Sequence, residues 1–215
     1  MLKNKIVTHL LSTIFFVAAP LAVAVTPGNA WEVKIIDYET HNRNTNLAEG
    51  SYMDKGAWNS RAWPTCLNGE YRFLTVELDR QRRGIAFWSV RIPQNGWYKL
   101  ETSYRASENR TNDADYAVYV NRTTAEAENK AAPVHAISIN QTQTYGSSTP
   151  WVDLGTYCLE KDDISMIVLD GRDDSQSDSA DASRWTFVGE KYKSQRCGGV
   201  DITSIINPLL LKERQ

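Results

Sequence analysis

From residue 85 onward, apolar and polar residues alternate in short bursts. In "GWYKLETSYR", Tyr98, Leu100, Thr102 and Tyr104 fall on one side and Lys99, Glu101 and Ser103 on the other; Tyr116, Val118 and Val120 form a second such face in "DYAVYVN". A period of two predicts strands with one face in a core and one in water. "IAFWSVRIP", "VHAISINQT", "WVDLGTYCL", "SMIVLDG" and "RWTFVGE" are likewise rich in Val, Ile, Thr and aromatics, and Gly, Asn, Pro, Asp and Ser clusters separate them. "IPQNG", residues 92–96, predicts a tight reversal, with Pro93 ending one strand and Asn95-Gly96 turning the chain. "NRTTAEAENKAAP", residues 121–133, predicts a short helix that stops before Pro133. Many strands and no long helix predict an all-β, single-domain, jelly-roll-like antiparallel β-sandwich. Ahead of it, "WEVKIIDYET" predicts an entering strand, whereas "HNRNTNLAEGSYMDKGAWNSRAWPTCLNGEYR" reads as mostly loop with aromatics set in it. Loops of that length are uncommon unless they have a job or pack by their own side chains.

The first thirty residues break this pattern. Lys3 and Lys5 precede an apolar run, and small residues precede two cleavage points, after Ala24 or after Ala30. This is the layout of a secretory signal peptide, residues 1–30 on the second choice, and it predicts a secreted or periplasmic protein with no membrane insertion after cleavage. The sandwich then occupies 31–190 and a C-terminal tail 191–215. Loss of Lys3 and Lys5 leaves 22 basic against 26 acidic residues, a net charge of −4. With no concentrated basic face, nucleic-acid binding is not expected.

In an oxidising compartment three cysteines predict one disulfide and one thiol left over. Cys66 and Cys197 both lie in turn-like sequence, and the expected bridge joins them; Cys158 then sits as a buried strand residue. The tail "GGVDITSIINPLLLKERQ" offers an apolar segment, and residues 200–215 are a candidate docking element for a protein partner or, alternatively, a cover for a sheet edge.

No Gly-rich phosphate loop, HExxH or zinc-type Cys/His set occurs, and no cofactor is expected. "DGRDDSQSDSADASRW", residues 170–185, is the densest polar stretch. It reads as a solvated loop; Asp170, Asp173, Asp174 and Asp178 supply the oxygens that a structural Ca²⁺ would need, although without EF-hand spacing. A catalytic carboxylate pair needs two acids in contrasting surroundings, which nothing local announces. Trp88, Trp151 and Trp185 read as core. Tyr52, Trp58, Trp63 and Tyr145 fall in Gly/Asn/Ser-rich stretches, where aromatic rings can stack on sugar faces while neighbouring polar groups bond the hydroxyls. These four are the candidate ligand-binding residues, with a polysaccharide or cell-surface glycan as the partner.

Four pieces in order carry a family likeness: "IIDYET" with "GAWNS"; "GIAFWSVRIPQNGWYKLETSYRAS"; "DADYAVYVN" with "ISINQTQ"; and "WVDLGTYCLEKDDISMIVLDG" leading into "SADASRWTFV". Over residues 31–189 the chain resembles the golvesin C-terminal-like domain, also described as the carbohydrate-binding domain of xanthan lyases. The resemblance implies a jelly-roll-like β-sandwich, extracellular, usually attached to larger polysaccharide-active or surface proteins, with no catalytic residues. It also implies that Asp181 stands where the chain enters the last strand and accepts hydrogen bonds from turn amides. The expected function is a secreted, non-catalytic carbohydrate-binding module. The alternatives are a secreted adaptor acting through its tail and, behind that, a polysaccharide-active enzyme.

Overall fold

The computed structural model describes residues 33–41, 50–75, 84–143, 150–172, 176–190 and 197. The leader, the tail beyond 197, Tyr145, Asp173 and Asp174 lie outside the described residues. In chain order the strands are β1 (Val33–Asp37), β2 (Ser51–Lys55), β3 (Trp58–Ala62), β4 (Glu70–Leu74), β5 (Ile85–Arg91) and β6 (Gly96–Thr102). They continue with β7 (Ala114–Val120), β8 (His135–Ile139), β9 (Val152–Leu159), β10 (Ile164–Asp170), β11 (Ser179–Ala180) and β12 (Ala182–Gly189). Among the described residues two short α-helices, α1 (Tyr38–His41) and α2 (Thr124–Glu128), and a 3-10 turn at Leu67–Gly69 interrupt them.

Among the described residues the strands of both large sheets pair antiparallel, in the order β1-β12-β6-β9 in one sheet and β2-β5-β10-β7-β8 in the other. Between them lies one apolar core, which takes Tyr98 and Leu100 of β6 and Tyr116 and Val118 of β7, as the alternation predicts. Trp88 and Trp185 are fully buried in it from opposite sheets. The Trp185 indole N–H donates to Ser165 Oγ of β10 at 2.9 Å, so the one polar atom of that large ring is satisfied across the core. The chain is therefore an all-β, single-domain, jelly-roll-like sandwich.

The five-stranded sheet is covered on both sides. Ile85, Phe87, Tyr119, Met166 and Val168 pack on its outer face beneath Ala127 of α2. That explains why "IAFWSVR" is apolar almost throughout, with six of its seven residues buried. The predicted short helix is α2. Its start is fixed by a capping box in which Thr123 Oγ1 accepts from the Glu126 N–H and the Glu126 carboxylate accepts from the Thr123 N–H.

Two expectations are corrected. The stretch read as a long loop contains β2, β3 and β4. β2 extends the larger sheet, while β3 and β4 join β11 in a third sheet, ordered β11-β4-β3. Four of the five residues of β3 are exposed, so the strand carries no apolar alternation to reveal it. The disulfide joins Cys158 to Cys197, with Cα atoms 4.9 Å apart, and not Cys66 to Cys197. Cys66 is a buried free thiol at the start of the 66–69 turn, and burial pushes its pKa up to about 12.

Candidate functional site

The third sheet builds a cleft. Along β4 the side chains alternate, and Arg72 points away from Tyr71 and Phe73 to meet Asp54 at 2.7 Å and cover the Tyr38 ring at 4.9 Å. Register places Arg61 of β3 opposite Tyr71 and Asn59 opposite Phe73, so Arg61 shares the Tyr71 face. The segment after β6 returns over this face. There the Arg105 N–H donates to Ser179 Oγ at 3.0 Å, and the Arg105 guanidinium lies 3.9 Å from the centre of the Trp63 ring and 5.6 Å from that of Tyr71. Arg110 is only 4 % exposed; its guanidinium lies 5.6 Å and 5.2 Å from the centres of Tyr71 and Phe73. It donates to the Tyr71 hydroxyl at 3.1 Å and to Ser177 Oγ. The Nε–H groups of Arg105 and Arg110 are buried without a hydrogen-bond partner among the described residues.

These side chains bound a cleft of about 300 Å³, lined also by Thr75, Ser107, Asn109 and Ser177. Burial holds the Arg110 pKa below the ordinary arginine value, and the nearby Arg105 charge acts in the same direction; Tyr71 and Asp178 oppose them. Arginine stays charged through shifts of this kind. The result is a cationic, aromatic-walled cleft.

The residues nominated from sequence separate clearly. Tyr52 is fully buried, edge-on between Tyr38 at 5.7 Å and Trp88 at 5.4 Å, with its hydroxyl donating to Asp54. Trp58 is buried in the same core. Neither offers a ring face to a ligand, because each fills the sandwich where β2 and β3 meet it. Trp63 is half-buried and forms the bed on which Arg105 rests, so it meets the cleft through that arginine; Tyr145 lies outside the described residues.

The acidic stretch also has a different role. Both oxygens of Asp170 accept from Arg172 at 2.8 Å, and these bonds hold its carboxyl below the usual range although burial works the other way. Asp178 is fully buried, and its charge acts on Arg110. Asp170 is thus an ion-pair partner and Asp178 an interior group, neither on a solvated loop. Among the described residues no three His, Cys, Asp or Glu side chains are grouped to hold a metal ion.

Asp181 behaves as its position implied. Its Oδ2 accepts from the Leu67 N–H at 3.1 Å and from Ser103 Oγ at 2.9 Å, so it anchors the 66–69 turn. It is fully buried, and burial pushes its pKa up to about 7. Glu39, whose carboxyl oxygens are buried nearby, is pushed up to about 7 as well, by burial first and then by the charges of Asp181, Asp37 and Glu70. Two acids of this kind would attract interest in an open cleft, but these lie under a turn. The His135 and Tyr157 rings are 6.4 Å apart, yet the Tyr157 hydroxyl donates to the Leu154 carbonyl and burial raises its pKa well out of a base's range.

The arginine cleft escaped sequence reasoning. Its signals were Tyr71 and Phe73 two apart in "EYRFL" and Arg105 and Arg110 five apart in "YRASENRTN", which become a site only when the third sheet folds against the loop.

The Golvesin C-terminal domain model matches residues 43–187. A similar solved structure is a Paenibacillus xanthan lyase, at 16 % identity and a TM-score of 0.56; the likeness covers 74 % of this chain and 13 % of that one, so the chain spans only a small part of the lyase's length. Two further structures have lower scores: the C-terminal CBM6 of the laminarinase LamC from Zobellia galactanivorans (12 % identity, 72 % and 98 % coverage, TM-score 0.42) and the K1 adhesin domain of Lys-gingipain from Porphyromonas gingivalis W83 (13 %, 73 % and 99 %, 0.44). No curated protein matches the chain. With well over half of its length inside the matched region, the chain belongs to the Golvesin C-terminal domain family.

Proposed function

We propose that the protein is a secreted, non-catalytic carbohydrate-binding module that holds a polysaccharide or cell-surface glycan at the arginine cleft. The observation that carries this reading is the cleft itself: a recess with half-buried Phe73 on its wall, Tyr71 buried behind the Arg105 and Arg110 guanidinium groups, Arg105 stacked on Trp63, and the amide and hydroxyl groups of Asn109, Ser107 and Thr75 in its lining. Flat apolar surface beside convergent polar donors is what a sugar ring requires. The xanthan lyase that shares the fold is named for a polysaccharide substrate, which supports the same ligand class. Secretion is supported by the basic-then-apolar leader and by the Cys158–Cys197 disulfide, a bond favoured in oxidising compartments.

The test is a tryptophan-fluorescence titration of the folded protein against neutral and acidic polysaccharides. Binding is expected, with Trp63→Ala weakening it at least about tenfold, or roughly 1.4 kcal/mol. Release of neither reducing ends nor unsaturated products is expected. A correctly folded protein that binds no polysaccharide overturns the reading.

A further inference from the structure

We propose that the cleft selects the carboxylate of a uronic-acid residue in an acidic polysaccharide, with Arg105 and Arg110 as the recognising pair and Arg61 at the rim. This rests on the glycan-binding reading above and names its substrate class. Three arginines line one recess, and among the described residues none of the three forms an ion pair with a carboxylate. Elsewhere in the molecule partly buried arginines are matched to acids, Arg72 to Asp54, Arg172 to Asp170 and Arg184 to Glu101. The arginine cleft departs from that habit.

Arg110 is the most telling case. A cation this deeply buried is costly without a counter-charge in contact. Its direct partners are the neutral hydroxyls of Tyr71 and Ser177 and the faces of two rings, while its Nε–H is left over. Ring faces stabilise a cation only modestly. Arg105 has the same unused Nε–H and adds a repelling like charge. An arriving carboxylate offsets that repulsion beside cations already held in place, so little ordering is lost on binding. The planar fork of a guanidinium matches a planar carboxylate better than it matches a neutral hydroxyl. At about 300 Å³ the recess lies at the small end of ligand pockets, so it fits one sugar unit within a longer chain.

The experiment is calorimetric titration of the full chain with polygalacturonate, alginate and hyaluronan, each beside its carboxyl-reduced counterpart, with dextran sulfate as a polyanion control. At least one uronate polymer is expected to bind at least about tenfold tighter than its reduced form and than dextran sulfate. Arg105→Gln is expected to abolish that preference, so that the uronate polymer and its reduced form bind that variant equally. Arg61 is exposed, so Arg61→Gln keeps the fold if the first variant does not; it is expected to weaken uronate binding about threefold. Equal binding of a polymer and its reduced form overturns the carboxylate site and leaves the glycan module standing. Equal or tighter binding of dextran sulfate makes the cleft a general polyanion surface and overturns it too. Uronate preference that survives both substitutions places recognition elsewhere, and failure of every polysaccharide to bind sinks both readings.

Discussion

Asp181 makes the stability of this sandwich depend on pH in the direction opposite to most carboxylates. Its side chain is fully buried and, among the described residues, accepts two hydrogen bonds, both on Oδ2, while Oδ1 has no partner. Burial outweighs those bonds, and its pKa rises from 3.8 to about 7 in the folded protein. A raised folded pKa means that the folded state holds the proton more tightly than the unfolded chain. The associated stability is fully present below about pH 4, is lost as pH climbs to about 7, and changes no further above that. About three pH units of separation correspond to a loss on the order of 4 kcal/mol across that window. Glu39 titrates in the same window and feels the Asp181 charge, so the two behave as a coupled pair. Carboxyls held below their usual range, such as Glu101 and Asp170, act oppositely and lose their contribution as pH falls.

The measurement is therefore a difference. Urea unfolding of the wild type, Asp181→Asn, Glu39→Gln and the double variant between pH 4 and pH 8 isolates the pair, because the other acids are common to all four proteins. Asparagine keeps an acceptor for Leu67 and Ser103 and has nothing to ionise. Relative to the wild type, Asp181→Asn is expected to gain stability steadily from pH 4 to pH 7, by a few kcal/mol, and then to run parallel. Parallel curves across the whole range would refute the claim that burial of this carboxyl dominates its titration.

Other consequences follow from single contacts. Replacing Cys158 and Cys197 together by serine frees a loop with a sequence separation of 39, which costs roughly 4 kcal/mol in the chain-entropy picture; urea midpoints with and without reductant read it, and peptide mapping that finds Cys66 in the bridge would reverse the assignment. A Cβ at Gly84 would lie 2.2 Å from the Trp58 indole nitrogen and 2.7 Å from the Lys55 carbonyl, so Gly84→Ala is expected to destabilise by about 1–3 kcal/mol, and a thermal melt within a degree of wild type would show that β2 and β3 yield more easily than their packing implies.

How much of this could be read in the sequence differs between the two parts of the chain. Between residues 85 and 189 the strands other than the two-residue β11 bury one face or both in a core, so period-two alternation or a continuous apolar run marks them. Before residue 85 the strands gain their place from neighbours. β3 exposes Asn59, Ser60, Arg61 and Ala62, and nothing in "WNSRA" distinguishes an edge strand from a polar loop. Two of the four aromatics nominated for binding were hidden for the same reason: Tyr52 and Trp58 sit among Gly and Asn residues, yet β2 and β3 carry them into the core. Spacing also says nothing about which cysteine lies 4.9 Å from Cys197; that distance depends on where the chain goes after β12.

The segment from Ser177 to Asp181 shows why the acidic stretch and the cationic cleft belong to one design. Ser177 Oγ receives Arg110, Ser179 Oγ receives the Arg105 N–H, and Gln141 locks the Ser179 backbone at both its N–H and its carbonyl. Asp181 meanwhile grips the Leu67 N–H in a turn closed by the Trp63 N–H on the Gly69 carbonyl. That turn carries the ring on which Arg105 rests. Residues 177–181 of the stretch that reads as a solvated acidic loop are thus an interior strut, with serines facing the arginines on one side and Asp181, its pKa pushed up to about 7 by burial, holding the Trp63 turn on the other. Because the strut is buried and hydrogen-bonded before any ligand arrives, the cleft's cations are fixed by the fold, and their unmet donors are a property of the resting protein.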